Sequence, residues 1–471
     1  MSFISIPFFI FLPVTLLIFW LVPNKFRWIV LLIASYVFYG FLNYWLIGLI
    51  LLTTLASYLG ARGIEKFAKR KKMFLILTLI VCLGSLFVFK YLDFTLSSFG
   101  KLFSMWGLNV SLQPLNLILP VGISFYTFQT IGYVVDVYKG KIEAERHIGY
   151  YALFVSFFPQ LVAGPIEPAA KLLPELRKEH HLDFDGFGEG LKYVVSGFIK
   201  KVLIADFLSQ YVNFIYGDLA IRGGAEIILA TFVFGIVIYC DFSGYSEIAV
   251  GLAKWMGIDL SKNFDRPYLS SSFKEFWRRW HISLNRFFTE YIYIPLGGSK
   301  KGRVRKYLAI FLVFLLSGLW HGASLHFVIW GVVSGLFLII EDLLSTPLGK
   351  IKMNVTAKRI LGIVIIYIVI NLCWIFFRVQ SIEEIGLVFQ KIFTGFASSF
   401  STTFFVTTNI IMILLALAVL PLTYYLPEIK KEGTHVYVNV ALYTLLILIV
   451  SVTYINNLME VGESSFIYFQ F

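Results

Sequence analysis

The sequence predicts an all-α integral membrane fold, and three observations predict it. Hydrophobic residues make up 58% of the 471-residue chain and charged residues only 14%, against roughly 25% charged in soluble domains. Apolar stretches of spanning length recur along the whole chain. No polar stretch between them is long enough to fold as a soluble domain. Residues 1–471 therefore read as a single polytopic domain, with a motif-bearing core at 115–380.

Spans are predicted near residues 4–22, 27–42, 45–60, 73–91, 115–135, 188–216, 226–256, 307–342 (as a hairpin), 359–377, 405–425 and 436–455. A hydrocarbon core about 30 Å thick needs about 20 apolar residues per helix, which these stretches approach. The first lacks a basic leader and a small-residue cleavage site and reads as a retained span. Residues 149–168 break the alternation. They carry Pro159 and Pro165, with Lys139, Lys141 and Arg146 before them and Lys171, Arg177 and Lys178 after. Basic flanks on both sides predict a re-entrant segment, whose irregular backbone must be buried in protein or line a cavity.

Charge sets the expected orientation. Lys25 and Arg27 follow the first span. Arg62, Lys66, Lys69, Arg70, Lys71 and Lys72 follow the third, and Lys430 and Lys431 separate the last two. The alternate connections near 92–114, 217–225 and 456–471 hold few basic residues or none. Both termini are thus expected outside the cytoplasm. The formal net charge of +12 is accounted for by these loops, without a nucleic-acid-binding module. Cys82, Cys240 and Cys373 lie far apart in apolar runs and read as structural thiols, with neither disulfide nor metal site.

Residues 261–306 are the richest non-spanning stretch. Apolar residues at 273, 276, 277, 280, 284, 287 and 288 follow helical spacing among Lys274, Arg278, Arg279 and Arg286. This predicts one basic, aromatic amphipathic helix in the cytoplasmic interface. Arg278 and Arg279 suit lipid phosphates, donor phosphates or the acidic surface of a carrier protein equally.

Four ionisable residues stand out. His321 lies in Ser317-Gly318-Leu319-Trp320-His321-Gly322-Ala323, between two apolar runs. Counted as helix from Tyr307 it sits roughly 22 Å into the span. A histidine at that depth suits proton transfer and lines functional cavities. Asp241 and Glu247 fall inside the apolar span 226–256, where a carboxylate needs an Arg or His partner; an ion pair and a catalytic role both fit. His281 sits at the interface, as either a solvated or a functional residue.

These residues carry a resemblance. Trp320-His321-Gly322-Ala323 followed by Phe327-Val328-Ile329-Trp330-Gly331 resembles the signature of the membrane-bound O-acyltransferase family. Four further stretches resemble its alginate-acetylation branch. They are Leu119 through Gln129, Phe158-Pro159-Gln160-Leu161-Val162-Ala163-Gly164-Pro165-Ile166, Tyr239 through Ser246, and Phe276 through Leu284. The terminal Phe466-Ile467-Tyr468-Phe469-Gln470-Phe471 adds another. Glu247 departs from the pattern, where aspartate is expected.

The resemblance implies a helical funnel with a tunnel, His321 as the catalytic histidine and His281 as a second. Motif membership makes Arg278, Arg279, Asp241, Ser243, Trp320 and Gln160 donor-binding or tunnel-lining. It also implies a bacterial plasma (inner) membrane location and no tightly bound cofactor. An acyl thioester such as acetyl-CoA or an acyl-carrier protein would be the donor. The partners implied are a separate extracytoplasmic acyltransferase and a cell-surface polysaccharide. Acyl transfer needs a hydroxyl and a base, and a histidine supplies the base. No Gly-x-Ser-x-Gly elbow supports a serine-hydrolase route. D-alanyl transfer to teichoic polymers and a non-catalytic export component are the alternatives. A secondary transporter is disfavoured because no internal repeat is visible.

Overall fold

A computed structural model describes residues 1–41, 43–108, 113–349, 353–395, 413–414, 416–421 and 423–424. Among them every regular element is helical, and six helices are long and apolar enough to cross a membrane. The expected span 436–455, Lys430, Lys431 and the 466–471 motif lie outside the described residues, as does most of 405–425. The chain packs as two compact units.

The first unit comprises residues 1–187, 252–261 and 322–324. Its helices include Ile6–Leu21, Asn24–Gly40, Leu46–Lys66, Ile123–Tyr138 and an interrupted run over 68–105. Glycine lets two of them meet closely. A Cβ on Gly63 would lie 2.4 Å from the Phe74 ring, so Leu46–Lys66 and Lys71–Leu86 approach to contact there.

The expected span at 115–135 starts later than the apolar pattern suggests. Residues 113–120 are irregular and helix begins at Ile123. Pro120 resists an earlier start, because inside a helix it removes an N–H donor and its ring clashes with the preceding turn. Gly122 then caps the helix with φ +75°, and a Cβ there would sit 2.6 Å from the Leu161 carbonyl oxygen.

Residues 149–168 are largely buried and form a helix broken at Phe157, with irregular backbone from Val162 to Pro168. Helix Ile148–Ser156 stops at Phe157, and a short turn Phe158–Leu161 follows with Pro159 in its first turn. The break diverts two backbone groups that a continuous helix would pair. The Phe158 N–H donates to Ser35 Oγ (3.1 Å), and the Phe154 carbonyl accepts from the amides of Gln129 (2.7 Å) and Gln160 (3.2 Å). Buried backbone must be satisfied somewhere, and here side chains do it.

The second unit holds the described residues of 188–251, 262–321 and 325 onward. The run from Phe184 to Tyr216 is α-helical at both ends, with a π segment at Ile199–Asp206. A 32-residue helix, Gly224–Trp255, follows. The predicted hairpin is present as Arg303–His321 and Leu325–Gly349, and the next span as Val355–Arg378. The last starts at Asn354, whose side chain accepts from the N–H groups of Thr356 (2.9 Å) and Ala357 (3.3 Å).

The single amphipathic helix expected over 273–288 is two helices, Phe273–Arg279 and Ile282–Phe288, broken at Trp280 and His281. Ser272 caps the first by accepting from the Glu275 N–H (3.0 Å). The apolar spacing holds in each half, which is why periodicity alone does not reveal the break.

Candidate functional site

The site is built in the second unit from the hairpin upward. The 19-residue helix ending at His321 is about 28 Å long at about 1.5 Å per residue. Helix continues through Gly318, so the early break that glycine permits does not occur. Gly318 instead works at the seam with the return helix. A Cβ on it would lie 2.3 Å from the Phe327 carbonyl oxygen, and one on Gly331 would lie 2.4 Å from that of Phe314. This contact fixes the register of the two strokes of the hairpin and so the height of His321.

His321 is buried, with rings packed around its imidazole: Trp320 at 4.9 Å, Trp330 at 5.0 Å and Phe377 at 5.0 Å between centroids. All three meet it edge to face, a favoured arrangement for aromatic groups. Trp374 on the helix Val355–Arg378 backs this box, stacked on Trp330 at 6.2 Å.

His281 reaches the same box by another route. Residues 263–265 run beside the break between the two short helices. The Ile282 N–H donates to the Asn263 carbonyl and the Asp265 N–H to that of Arg279, each at 2.9 Å. Pinned on both sides, His281 takes a left-handed backbone (φ +45°) and caps Ile282–Phe288. Its ring packs edge to face on Phe242 at 4.7 Å and on Trp320 at 5.9 Å. Trp320 thus touches both histidines.

The His281 tautomer follows from its neighbours. Asn263 Oδ1 accepts from the Ser283 N–H (3.2 Å) and Ser283 Oγ (2.8 Å), and faces His281 Nδ1 at 3.3 Å. A backbone N–H can only donate, so the oxygen of the amide must face it. His281 Nδ1 then carries the proton, and Nε2 holds the lone pair a base needs. Burial pushes the imidazole pKa down to about 3, so the ring is neutral at physiological pH. A neutral imidazole of this tautomer, in dry surroundings that disfavour the charged ring, can accept a hydrogen bond at Nε2.

The remaining expected residues divide. Asp241 is buried in an ion pair, with Lys201 Nζ at 2.5 Å from its Oδ1. Glu247 is paired with Lys200 at the same distance. The partners are lysines, not the Arg or His expected. Ser243 is buried on the same helix, and its hydroxyl makes no hydrogen bond among the described residues. Arg278 is exposed, whereas Arg279 is half-buried and bridges to Glu275 at 2.7 Å. Gln160 belongs to the first unit, where it holds the Phe154 carbonyl.

Three contributors escape the sequence reading. Lys200 and Lys201 are visible as two adjacent charges inside the apolar run 188–216, a signal as strong as that of Asp241. Asn263 has no such signal, being one polar residue in a polar stretch.

The chain matches the family model described as MBOAT, membrane-bound O-acyltransferase family, over residues 145–382. It is 36% identical to the probable alginate O-acetylase AlgI of Pseudomonas aeruginosa, covering 82% of this chain and 73% of that protein. The peptidoglycan O-acetyltransferase of Helicobacter pylori is 34% identical, over 76% of this chain and 71% of its own. The teichoic acid D-alanyltransferase of Bacillus subtilis is 29% identical, over 46% and 58% respectively. With its spanning helices and its match to the family model and these relatives, this chain belongs to the membrane-bound O-acyltransferase family and is a multi-pass membrane O-acyltransferase.

Proposed function

We propose that the protein moves an acetyl group from a cytoplasmic thioester, such as acetyl-CoA or an acyl-carrier thioester, toward an extracytoplasmic polysaccharide. The observation that carries the reading is the contact of Trp320 with both His281 and His321. His321 acts as the base. It takes the proton of the accepting hydroxyl as that oxygen attacks the thioester carbonyl. The carbon–sulfur bond then breaks, and the proton passes to the departing thiolate. His281 serves the donor side, its neutral ring orienting the thioester at the mouth of the tunnel, and Arg278 meets the donor's phosphates or the acidic face of a carrier.

Acetyl is favoured over D-alanyl because the two acetyl-transferring relatives match over 76–82% of this chain and the D-alanyltransferase over 46%. A separate extracytoplasmic acyltransferase would complete delivery to the polymer. The protein would lie in the bacterial plasma membrane with both termini outside and residues 69–72 in the cytoplasm.

His321→Ala is expected to abolish acetylation of the surface polymer while the protein still inserts and accumulates. O-acetyl content of the isolated polymer is the measurement, and a near-parental value would remove His321 from the mechanism. For orientation, cysteines placed at 69–72 in a background lacking Cys82, Cys240 and Cys373 should resist an impermeant thiol reagent in intact cells. Labelling there would invert the topology.

A further inference from the structure

Two helices of the second unit meet at a glycine seam. A Cβ on Gly197 would lie 2.5 Å from the Gly244 carbonyl oxygen, and one on Gly251 would lie 2.5 Å from that of Gly190. Just past this seam the first helix widens into the π segment Ile199–Asp206, a local form that recurs at functional sites. Its two lysines are buried against the partner helix. Lys201 Nζ lies 2.5 Å from Asp241 Oδ1 and 2.7 Å from Asp206 Oδ1. Lys200 Nζ lies 2.5 Å from Glu247 Oε1, while Ser196 Oγ donates to the other oxygen at 2.8 Å.

Two well-packed apolar side chains of similar size often stabilise as much as a buried ion pair. What such a pair adds is a fixed separation, because letting it part leaves a charge buried alone. Here the fixed element is residues 239–242. On that stretch Phe242 packs on the His281 ring at 4.7 Å, and Tyr239 packs on Phe264 (5.9 Å) and Trp280 (6.2 Å). Phe264 and Trp280 in turn touch each other at 5.1 Å. The ion pair, the stretch it anchors and the histidine are consecutive contacts.

We propose that the Lys201–Asp241 pair is a positioning device for the donor step, holding residues 239–242 so that the His281 ring keeps its orientation toward the thioester. Neither residue touches the reacting atoms in this scheme. The inference rests on the donor-side role of His281 given above.

The test uses the purified full chain in detergent with acetyl-CoA as the probe, reading its hydrolysis as kcat and KM. Asp241→Asn should lower kcat at least about tenfold, a share of the roughly 10²-fold that misplacing a reacting group costs, and leave KM within about twofold. Combining it with His281→Ala should cost nothing beyond the larger single loss, because both act through one group. Losses that multiply, or an unchanged kcat in Asp241→Asn, would overturn the proposal. Should Asp241→Asn fail to accumulate, Lys201→Met/Asp241→Met removes both charges of the pair. The same loss of kcat in that variant supports positioning, and parental kcat shows a pair that serves folding alone. A parental kcat in His281→Ala, or a parent protein inert to acetyl-CoA, would instead sink the donor reading and the inference with it.

Discussion

The two histidines share Trp320 but are held by opposite means. His321 ends a regular helix, and its place is set by the glycine seam between the two strokes of a hairpin. His281 sits where helix fails, in a left-handed backbone clamped between Asn263 and Ile282. One position comes from packing of an ideal element and the other from an irregularity over-determined by its neighbours. Strained backbone persists only under such clamping, and it gathers at functional sites. The difference teaches that a site of this kind can fail in two separable ways, by slipping a helix or by freeing a loop.

The largest effect expected in separating them is that of His281→Ala. Misplacing a reacting group by about 1 Å can cost about 10²-fold, and a loss of about that size is expected for donor turnover with acetyl-CoA. The loss should appear even with water as acceptor. Full hydrolysis of the donor, with only transfer to polymer lost, would move His281 to the acceptor side and break the division of labour.

Gly318→Val attacks the other support. Its Cβ would fall 2.3 Å from the Phe327 carbonyl oxygen, a backbone atom that yields only if the hairpin shifts. Overpacking of this kind costs about 1–3 kcal/mol. Lower thermal stability of the purified protein is expected, together with loss of transfer, because His321 moves with its helix. A variant of parental stability and activity would show that the seam does not set the height of His321.

Much of this architecture was legible in the sequence. Apolar length alone located Gly224–Trp255, the hairpin and Val355–Arg378, because in lipid every backbone group must be satisfied within the helix. His321 was legible for the same reason, as an ionisable residue where charge is costly. The late start at Ile123 was less so, since a proline and one left-handed glycine outweigh a continuous apolar pattern. The break at His281 was hidden for a stronger reason. Trp280 and Leu284 keep helical spacing across it, and the interactions that impose it come from residues 263–265, well before it in the chain. The ion pairs of Lys200 and Lys201 were half-visible. Each charge could be read, but which carboxylate it would meet depends on a helix crossing that no local pattern encodes.

The smallest predicted effect sharpens the comparison most, because it leaves both helices intact. Asn263→Ala removes the oxygen that faces His281 Nδ1 and accepts from Ser283. The backbone bond from Ile282 to the residue-263 carbonyl survives, so the left-handed turn should hold. What changes is the preference between tautomers. A neutral hydrogen bond is worth about 0.5–1.5 kcal/mol, so donor turnover should fall by about 2- to 12-fold, with KM little changed. Asn263→Asp keeps an oxygen at Nδ1 and should recover part of that loss, since a carboxylate accepts the same proton. If Asn263→Ala instead matched His281→Ala in severity, the amide would be holding the ring itself and not merely its proton. His281 would then depend on one side chain as completely as His321 depends on its seam.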